Sequence, residues 1–363
     1  MSESFEEAKA LFLEGLQHCE AGRLTQAQSA FEGSLARLPG RATTLTNLGV
    51  VRVRLGLCAQ ALAPLEAALA QEPDNIEALA HRAMALADLD RPVEALADAE
   101  RVLALAPTAG NVWGLYGNLL KDQGRAGEAA QAFERAIALG CEPELHRFLL
   151  AGLRGDPAPR SAPAGYVQGL FDGYAEGFER HLTEALGYRA PRVLLEPLQR
   201  RGARFARALD LGCGTGLCGP LMRPLAGHLA GVDLSTNMLA KAREGGCYDE
   251  LAQADIVDWL RAPHEPWDLV VAADVFVYVG ELGPCFDALA GALRSGGVVA
   301  FSLEESSAGD LTLQGSLRYA HSQASVSALA QRCGFAVEQC LRQAIRNDQG
   351  QPIPGLYFWL QKR

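Results

Sequence analysis

Residues 208–219 read ALDLGCGTGLCG, an apolar run that closes on Asp210 and passes into a turn carrying Gly212, Gly214 and Gly216. Glycine tolerates positive φ and brings no side chain, so a turn this rich in it lets backbone amides come close to a ligand. The stretch predicts a buried strand, a tight turn and a helix, the signature of an α/β sheet that holds a nucleotide-like molecule. A dinucleotide fingerprint spaces its glycines Gly-x-Gly-x-x-Gly. Here the third glycine comes one residue early, and Leu217 stands where it should be.

Working outward, residues 229–233 read as a second short strand ending in Asp233, placed to accept hydrogen bonds from ribose hydroxyls, and Asp255 closes a third. Asp210 would repel a pyrophosphate, whereas the ammonium and sulfonium of S-adenosylmethionine are cations that a carboxylate favours. With DLGCGTG, GVDLS, QADI and WDLVVAADV in this order, residues 165–363 resemble the class I S-adenosylmethionine-dependent methyltransferases. The resemblance implies a Rossmann-like seven-stranded sheet and assigns roles along it. Gly212, Cys213, Gly214, Thr215 and Gly216 would cradle the methionine and ribose part, and Asp210 would favour the ammonium. Asp233, with Leu234 and Met238 after it, would hold the ribose. Asp255 would meet the adenine amino group, Ile256 would lie along the ring, and Ala273 would close the site at the end of strand four. Strands are expected at 205–211, 228–233, 250–254, 268–273, 298–303, 336–344 and 356–361, with the Ser295-Gly296-Gly297 stretch stopping a helix.

Composition sets the bounds. The chain has 363 residues, 49% of them hydrophobic, enough for two or three domains with substantial cores. Its net charge of −10 divides as −6 over residues 1–160 and −4 over the rest, so neither half has the basic excess of a nucleic-acid binder. Nine cysteines with no Cys-x-x-Cys pair argue against a disulfide framework and a thiolate zinc site, and no His, Asp and Glu cluster has ligand spacing, so no metal is expected. The acidic start MSESFEEAKA lacks the basic and apolar regions of a signal peptide, and no apolar run reaches membrane-spanning length. A cytoplasmic chain without membrane contact is expected.

The first half is periodic. Pro39, Pro73 and Pro107 are 34 residues apart, as are Ala27, Ala61, Ala95 and Ala129, and Gly15, Gly49, Ala83 and Gly117 form a third series of small residues. This is the period of the tetratricopeptide repeat, a helical hairpin whose two helices approach through small residues. Four repeats are expected over 8–143 with a capping helix to residue 153, an all-α solenoid that offers a groove to a protein or peptide. Packing on the catalytic domain or dimerisation is the alternative.

Residues 154–165, RGDPAPRSAPAG with Arg154 and Gly165 at its ends, read as a linker between the array and a methyltransferase domain over 166–363. Beyond it lies an aromatic helix with Phe171 and Tyr174, either a lid over cofactor and substrate or plain packing. The Phe-Asp-x-Tyr-Ala...His-Leu segment there resembles bacterial predicted methyltransferases with tetratricopeptide repeats, a likeness covering nearly the whole chain. Tyr278, at the sheet's C-terminal edge, is a candidate to face substrate. The stretch 311–322 is read as too polar for a core element and as a substrate-binding insertion. It offers Arg318 and Tyr319 to the substrate and His321 as a general base or a structural histidine. Arg346 would pair with a substrate carboxylate or lie in solvent. The leading expectation is methyl transfer to a protein or peptide recruited by the array. A small-molecule acceptor, with the array used for assembly, and a non-catalytic cofactor-binding scaffold are the alternatives.

Overall fold

The computed structural model describes residues 3–155, 157, 159–174, 186–348 and 350–363. The chain divides into two compact units, Met1–Leu150 and Ala151–Arg363. No helix among the described residues is long and apolar enough to cross a membrane.

The first unit is built from helical hairpins: α1 (Glu3–Glu20) with α2 (Leu24–Arg37), α3 (Ala42–Arg54) with α4 (Cys58–Leu69), α5 (Ile76–Asp88) with α6 (Pro92–Leu105), and α7 (Gly110–Asp122) with α8 (Ala126–Ala138). The second helices start at Leu24, Cys58, Pro92 and Ala126, so the 34-residue period of the sequence is the period of the helices. The series of small residues marks the crossing points. A Cβ on Gly15 would stand 2.5 Å from the Phe31 ring, one on Gly49 2.4 Å from Leu65, and one on Gly117 2.5 Å from Phe133. At these points each first helix meets a large apolar side chain of the second. A last helix, α9 (Pro143–Arg154), follows the fourth hairpin.

The second unit is a sheet with helices on both faces. Seven strands form its main path in the order β3-β2-β1-β4-β5-β11-β8. They are β1 (Phe205–Leu211), β2 (Ala226–Asp233), β3 (Glu250–Gln253), β4 (Trp267–Ala272), β5 (Leu293–Glu305), β8 (Phe335–Arg342) and β11 (Gly355–Lys362). The first five are parallel, and β11 runs antiparallel between β5 and β8. Leu209 and Leu211 enter one apolar layer with Phe286, Phe301 and Phe358; Ala208 enters the other with Leu194, Val271 and Trp359. The described helices of the unit are α10 (Ala164–Tyr174), α11 (Ala190–Arg200), α12 (Gly219–Met222), α13 (Thr236–Glu244), α14 (Ile256–Arg261), α15 (Gly283–Ala292) and α16 (Gln323–Arg332). The helix expected beyond the glycine turn is only the four residues of α12 and a 3-10 turn at Arg223–Leu225, with Pro220 and Pro224 in their first turns.

Three expectations are corrected. Among the described residues the sheet has nine strands, because β6 (Leu311–Leu313) and β7 (Tyr319–His321) join it: β5 outruns β4, and its last residues, Glu304 and Glu305, pair with Ala320 and His321. The stretch 311–322 is therefore partly core, with Tyr319 fully buried and Leu313 nearly so. Its polar residues hid three-residue strands too short to show alternation. The Ser295-Gly296-Gly297 stretch stops no helix; it lies inside β5 at a shift of register against β4, with Gly296 at φ +77°. Finally, part of the proline-rich 154–165 stretch is fixed to the sheet unit rather than free. Tyr319 Oη donates to the Pro159 carbonyl at 2.7 Å, Glu281 N to the Arg160 carbonyl at 2.7 Å, and Ala162 N to the Tyr278 carbonyl at 3.0 Å. Two short strands, β9 (Asn347–Asp348) and β10 (Gln351–Pro352), form a separate hairpin.

Candidate active site

The chain leaves β1 for β2 on one side and later returns to β4 on the other, so a crevice opens beyond the C-terminal ends of β1 and β4, the place where open parallel sheets bind ligands. A cavity of about 540 Å³ lies there. The glycine turn forms one wall. Gly212 sits at φ +69°, and a Cβ there would lie 2.5 Å from Val275 Cγ2, so glycine is required on both counts. Gly214, at φ +54°, has open space where a Cβ would point, and Gly214 N donates to Asp233 Oδ2 at 2.8 Å.

Asp233 also takes Ser235 N on Oδ1 at 2.9 Å, and Ser235 caps α13 by accepting from Met238 N. Burial raises the pKa of Asp233, and these backbone donors oppose the rise. Asp255 caps α14, its Oδ1 accepting from Val257 N at 2.8 Å and Asp258 N at 3.1 Å. Cys213, Thr215, Leu234, Ile256 and Ala273 join Gly212, Gly214, Asp233 and Asp255 around the cavity, and the buried Thr215 hydroxyl has no partner among the described residues.

Asp210, Gly216 and Met238 are not part of the lining. Met238 is fully buried, and Gly216 packs against Tyr248 and Ala242. Asp210 lies beneath the turn, 1% exposed, with its Oδ2 accepting from Tyr248 Oη at 2.6 Å and the Cys218 thiol as a second hydrogen-bonding neighbour. Burial pushes its carboxyl up to about 7; the Tyr248 hydrogen bond opposes that rise and Asp233 adds to it. The same surroundings raise the Cys213 and Cys218 thiols, so neither is a ready nucleophile. Tyr248 carried no signal in the sequence, since it stands 38 residues beyond its partner with no motif around it.

Across the cavity lies α10, which contributes Ala164, Val167, Leu170, Phe171 and Gly173. It is fastened to α13 by Asp172, whose Oδ1 accepts from Ser235 Oγ at 2.5 Å and whose carbonyl accepts from Asn237 Nδ2 at 3.0 Å. Asp172 sits inside the quoted Phe-Asp segment, but nothing in the sequence alone paired it with Ser235. Phe171 meets Tyr278 edge to face, with ring centroids 5.5 Å apart. Tyr174 ends α10, and its side chain lies outside the described residues.

The remaining candidates separate. Arg346 lines the cavity but is 3% exposed, and its Nη1 holds both Asp274 oxygens at 2.8 and 3.0 Å while Nη2 holds Glu304 Oε1. The expectation that it pairs with a substrate carboxylate or lies in solvent is thus replaced by an internal network. Asp274 carries φ +62°, a left-handed conformation rare outside glycine, immediately after β4. Tyr319 and His321 point away from the cavity. Tyr319 is held by Pro159, and His321 is 4% exposed with Nε2 donating to the Gly280 carbonyl at 2.9 Å. Burial lowers the His321 pKa, and the Gly280 and Val279 carbonyls oppose the shift. It is a structural histidine because β7 faces it inward. Arg318, from the turn before β7, does line the cavity, beside Tyr278.

Comparison with known proteins agrees with this geometry. Residues 209–301 match the family model described as "Methyltransferase domain". Trans-aconitate 2-methyltransferase of Rhizobium rhizogenes is 38% identical over 104 residues, 28% of this chain and 40% of that protein. Malonyl-[acyl-carrier protein] O-methyltransferase of Enterobacter lignolyticus is 33% identical over 136 residues, 38% of this chain and 52% of that protein. The chain thus spans about half the length, or less, of the curated relatives it matches. Among solved structures, magnesium protoporphyrin IX methyltransferase of Synechocystis with bound S-adenosylhomocysteine aligns with 55% of this chain and all of that one, at 14% identity and a TM-score of 0.44. The sheet unit therefore contains a methyltransferase domain of the S-adenosylmethionine-dependent class.

Proposed function

We propose that the chain transfers the methyl group of S-adenosylmethionine to a small-molecule acceptor bound in the cavity at the sheet's C-terminal edge. The observation that carries this reading is that one cavity joins the glycine turn, Asp233 and Asp255 to an acceptor end of Phe171, Tyr278 and Arg318. The wall suits the cofactor: the open face of Gly214 leaves room for close approach, the unpartnered Thr215 hydroxyl offers a donor, and Asp233 and Asp255 offer acceptors to ribose and adenine donors. Bound there, S-adenosylmethionine supplies a methyl group already activated by its sulfonium. Gly212 and Gly214 bring the backbone to it, Asp233 orients the ribose, and Asp255 and Ile256 meet the adenine. Phe171 and Tyr278 close the acceptor end against water and align the acceptor.

One relative is named for trans-aconitate and another for malonyl-[acyl-carrier protein]; the first, a small acid, favours a small acceptor over the protein or peptide acceptor expected from the helical array. In this reading the tetratricopeptide-like array holds a protein partner for assembly rather than presenting the substrate. Incubation of the full chain with tritiated S-adenosylmethionine and a bacterial extract split into small-molecule and protein fractions tests the point. Label in the small-molecule fraction is expected; label confined to protein contradicts the reading.

A further inference from the structure

Among the described residues two arginines, Arg318 and Arg346, line the cavity, and they are not equivalent. Arg346 spends both terminal nitrogens on Asp274 and Glu304. Arg318 has no carboxylate within ion-pair distance among the described residues; its neighbour is the Tyr278 hydroxyl, with Asp274 and Glu304 acting on it at longer range. A guanidinium has five N–H donors in a planar fork suited to a carboxylate. That fork borders a cavity whose nearby walls are Val167, Leu170, Phe171 and Val279.

The second observation concerns bases. Among the described residues that line the cavity, Asp233 and Asp255 accept backbone N–H groups, and Asp274 is locked to Arg346. Burial holds the Tyr278 and Tyr188 hydroxyls and the Cys213 and Cys218 thiols protonated. His321 lies outside the lining, with Nε2 on the Gly280 carbonyl. Each of the lining carboxylates named above already accepts hydrogen bonds from the chain, and the hydroxyls and thiols carry their own protons. The acceptor that suits the site is one already deprotonated at neutral pH.

Building on the proposed function, the geometry points to a carboxylic acid with an apolar body as the acceptor class, its carboxylate held by Arg318 and the Tyr278 hydroxyl and methylated on oxygen. A lone pair of the carboxylate oxygen forms the bond to the methyl carbon while the carbon–sulfur bond breaks, its electron pair staying on sulfur. The products are a methyl ester and the neutral thioether S-adenosylhomocysteine, and no proton is transferred. Arg318 fixes the nucleophile's position, and the Asp274–Arg346–Glu304 network keeps the second arginine from competing for it.

The test uses the full chain with tritiated S-adenosylmethionine and, one at a time, trans-aconitate, succinate, hexanoate and phenylacetate. Methyl esters release volatile tritiated methanol in alkali; methyl ethers and methylamines do not. Alkali-labile label dependent on at least one acid is expected. Arg318→Met should raise the KM for that acid and weaken its calorimetric Kd on the chain saturated with S-adenosylhomocysteine, each by about tenfold or more. Arg318→Lys should fall between the two, and affinity for S-adenosylhomocysteine should not change in either variant. An alkali-stable product, no turnover of any acid by a chain that binds S-adenosylhomocysteine, or an unchanged KM in Arg318→Met overturns the acid assignment while the proposed function stands. A folded chain that does not bind S-adenosylhomocysteine overturns both.

Discussion

The two units of the chain solve burial in different ways. In Met1–Leu150 the interior is made by repetition: small residues at a 34-residue spacing let large apolar neighbours fill the crossings, and the one carboxylate buried among the described residues, Asp98, is clasped by Arg82 at 2.7 Å through both oxygens. In Ala151–Arg363 most of the buried or nearly buried charged groups, Asp210, Asp233, Asp274, Glu304 and Arg346, gather at the C-terminal ends of the strands, while Asp268 lies at the start of β4. Burying charge is costly unless it is paired. The difference is that between an interior arranged for shape and one arranged around a polar ligand.

That contrast breaks most severely at Arg346. Arg346→Met strands Asp274 and Glu304 without their partner, and denaturant unfolding should show a loss of about 3–5 kcal/mol, far beyond the effect of removing an exposed pair such as Arg91–Glu94. Asp210 comes next. Because its folded-state carboxyl is raised to about 7 from an ordinary 3.8, its contribution to stability is fully present below pH 4 and is lost as pH rises through 7. Melting temperatures of Asp210→Asn between pH 4 and 8 should lack this component of the fall, a difference of at most about 1.4 kcal/mol per pH unit; identical slopes would contradict the assignment.

In the helical unit the same style of interference acts through shape. Gly117→Leu places a side chain 2.5 Å or less from the Phe133 ring, which is itself packed on His146, and should cost about 1–3 kcal/mol with cofactor affinity unaffected. A matching loss of cofactor affinity would show that the two interiors are not independent.

The comparison also explains what the sequence could reveal. Periodic spacing made the helical unit legible, since one residue type recurs wherever one crossing recurs. The glycine turn, Asp233 and Asp255 were legible because backbone conformation and strand ends impose residue types locally. What escaped depends on partners distant in sequence. Arg346 meets Asp274 across 72 residues, and no local pattern says that it is taken. His321 and Tyr319 looked available because strands of three residues leave no alternation to read, and only their pairing with the end of β5 turns them inward. Arg318 and Arg346 were read alike from sequence; their surroundings separate them.

The most direct test of the central claim is calorimetric titration of the full chain with S-adenosylhomocysteine, beside Asp233→Ala. We expect micromolar binding by the wild type and at least about a tenfold loss in the variant, whose fold is checked by circular dichroism. Equal affinity in the two proteins, or no binding by a folded, ligand-free wild type, would contradict the site described above.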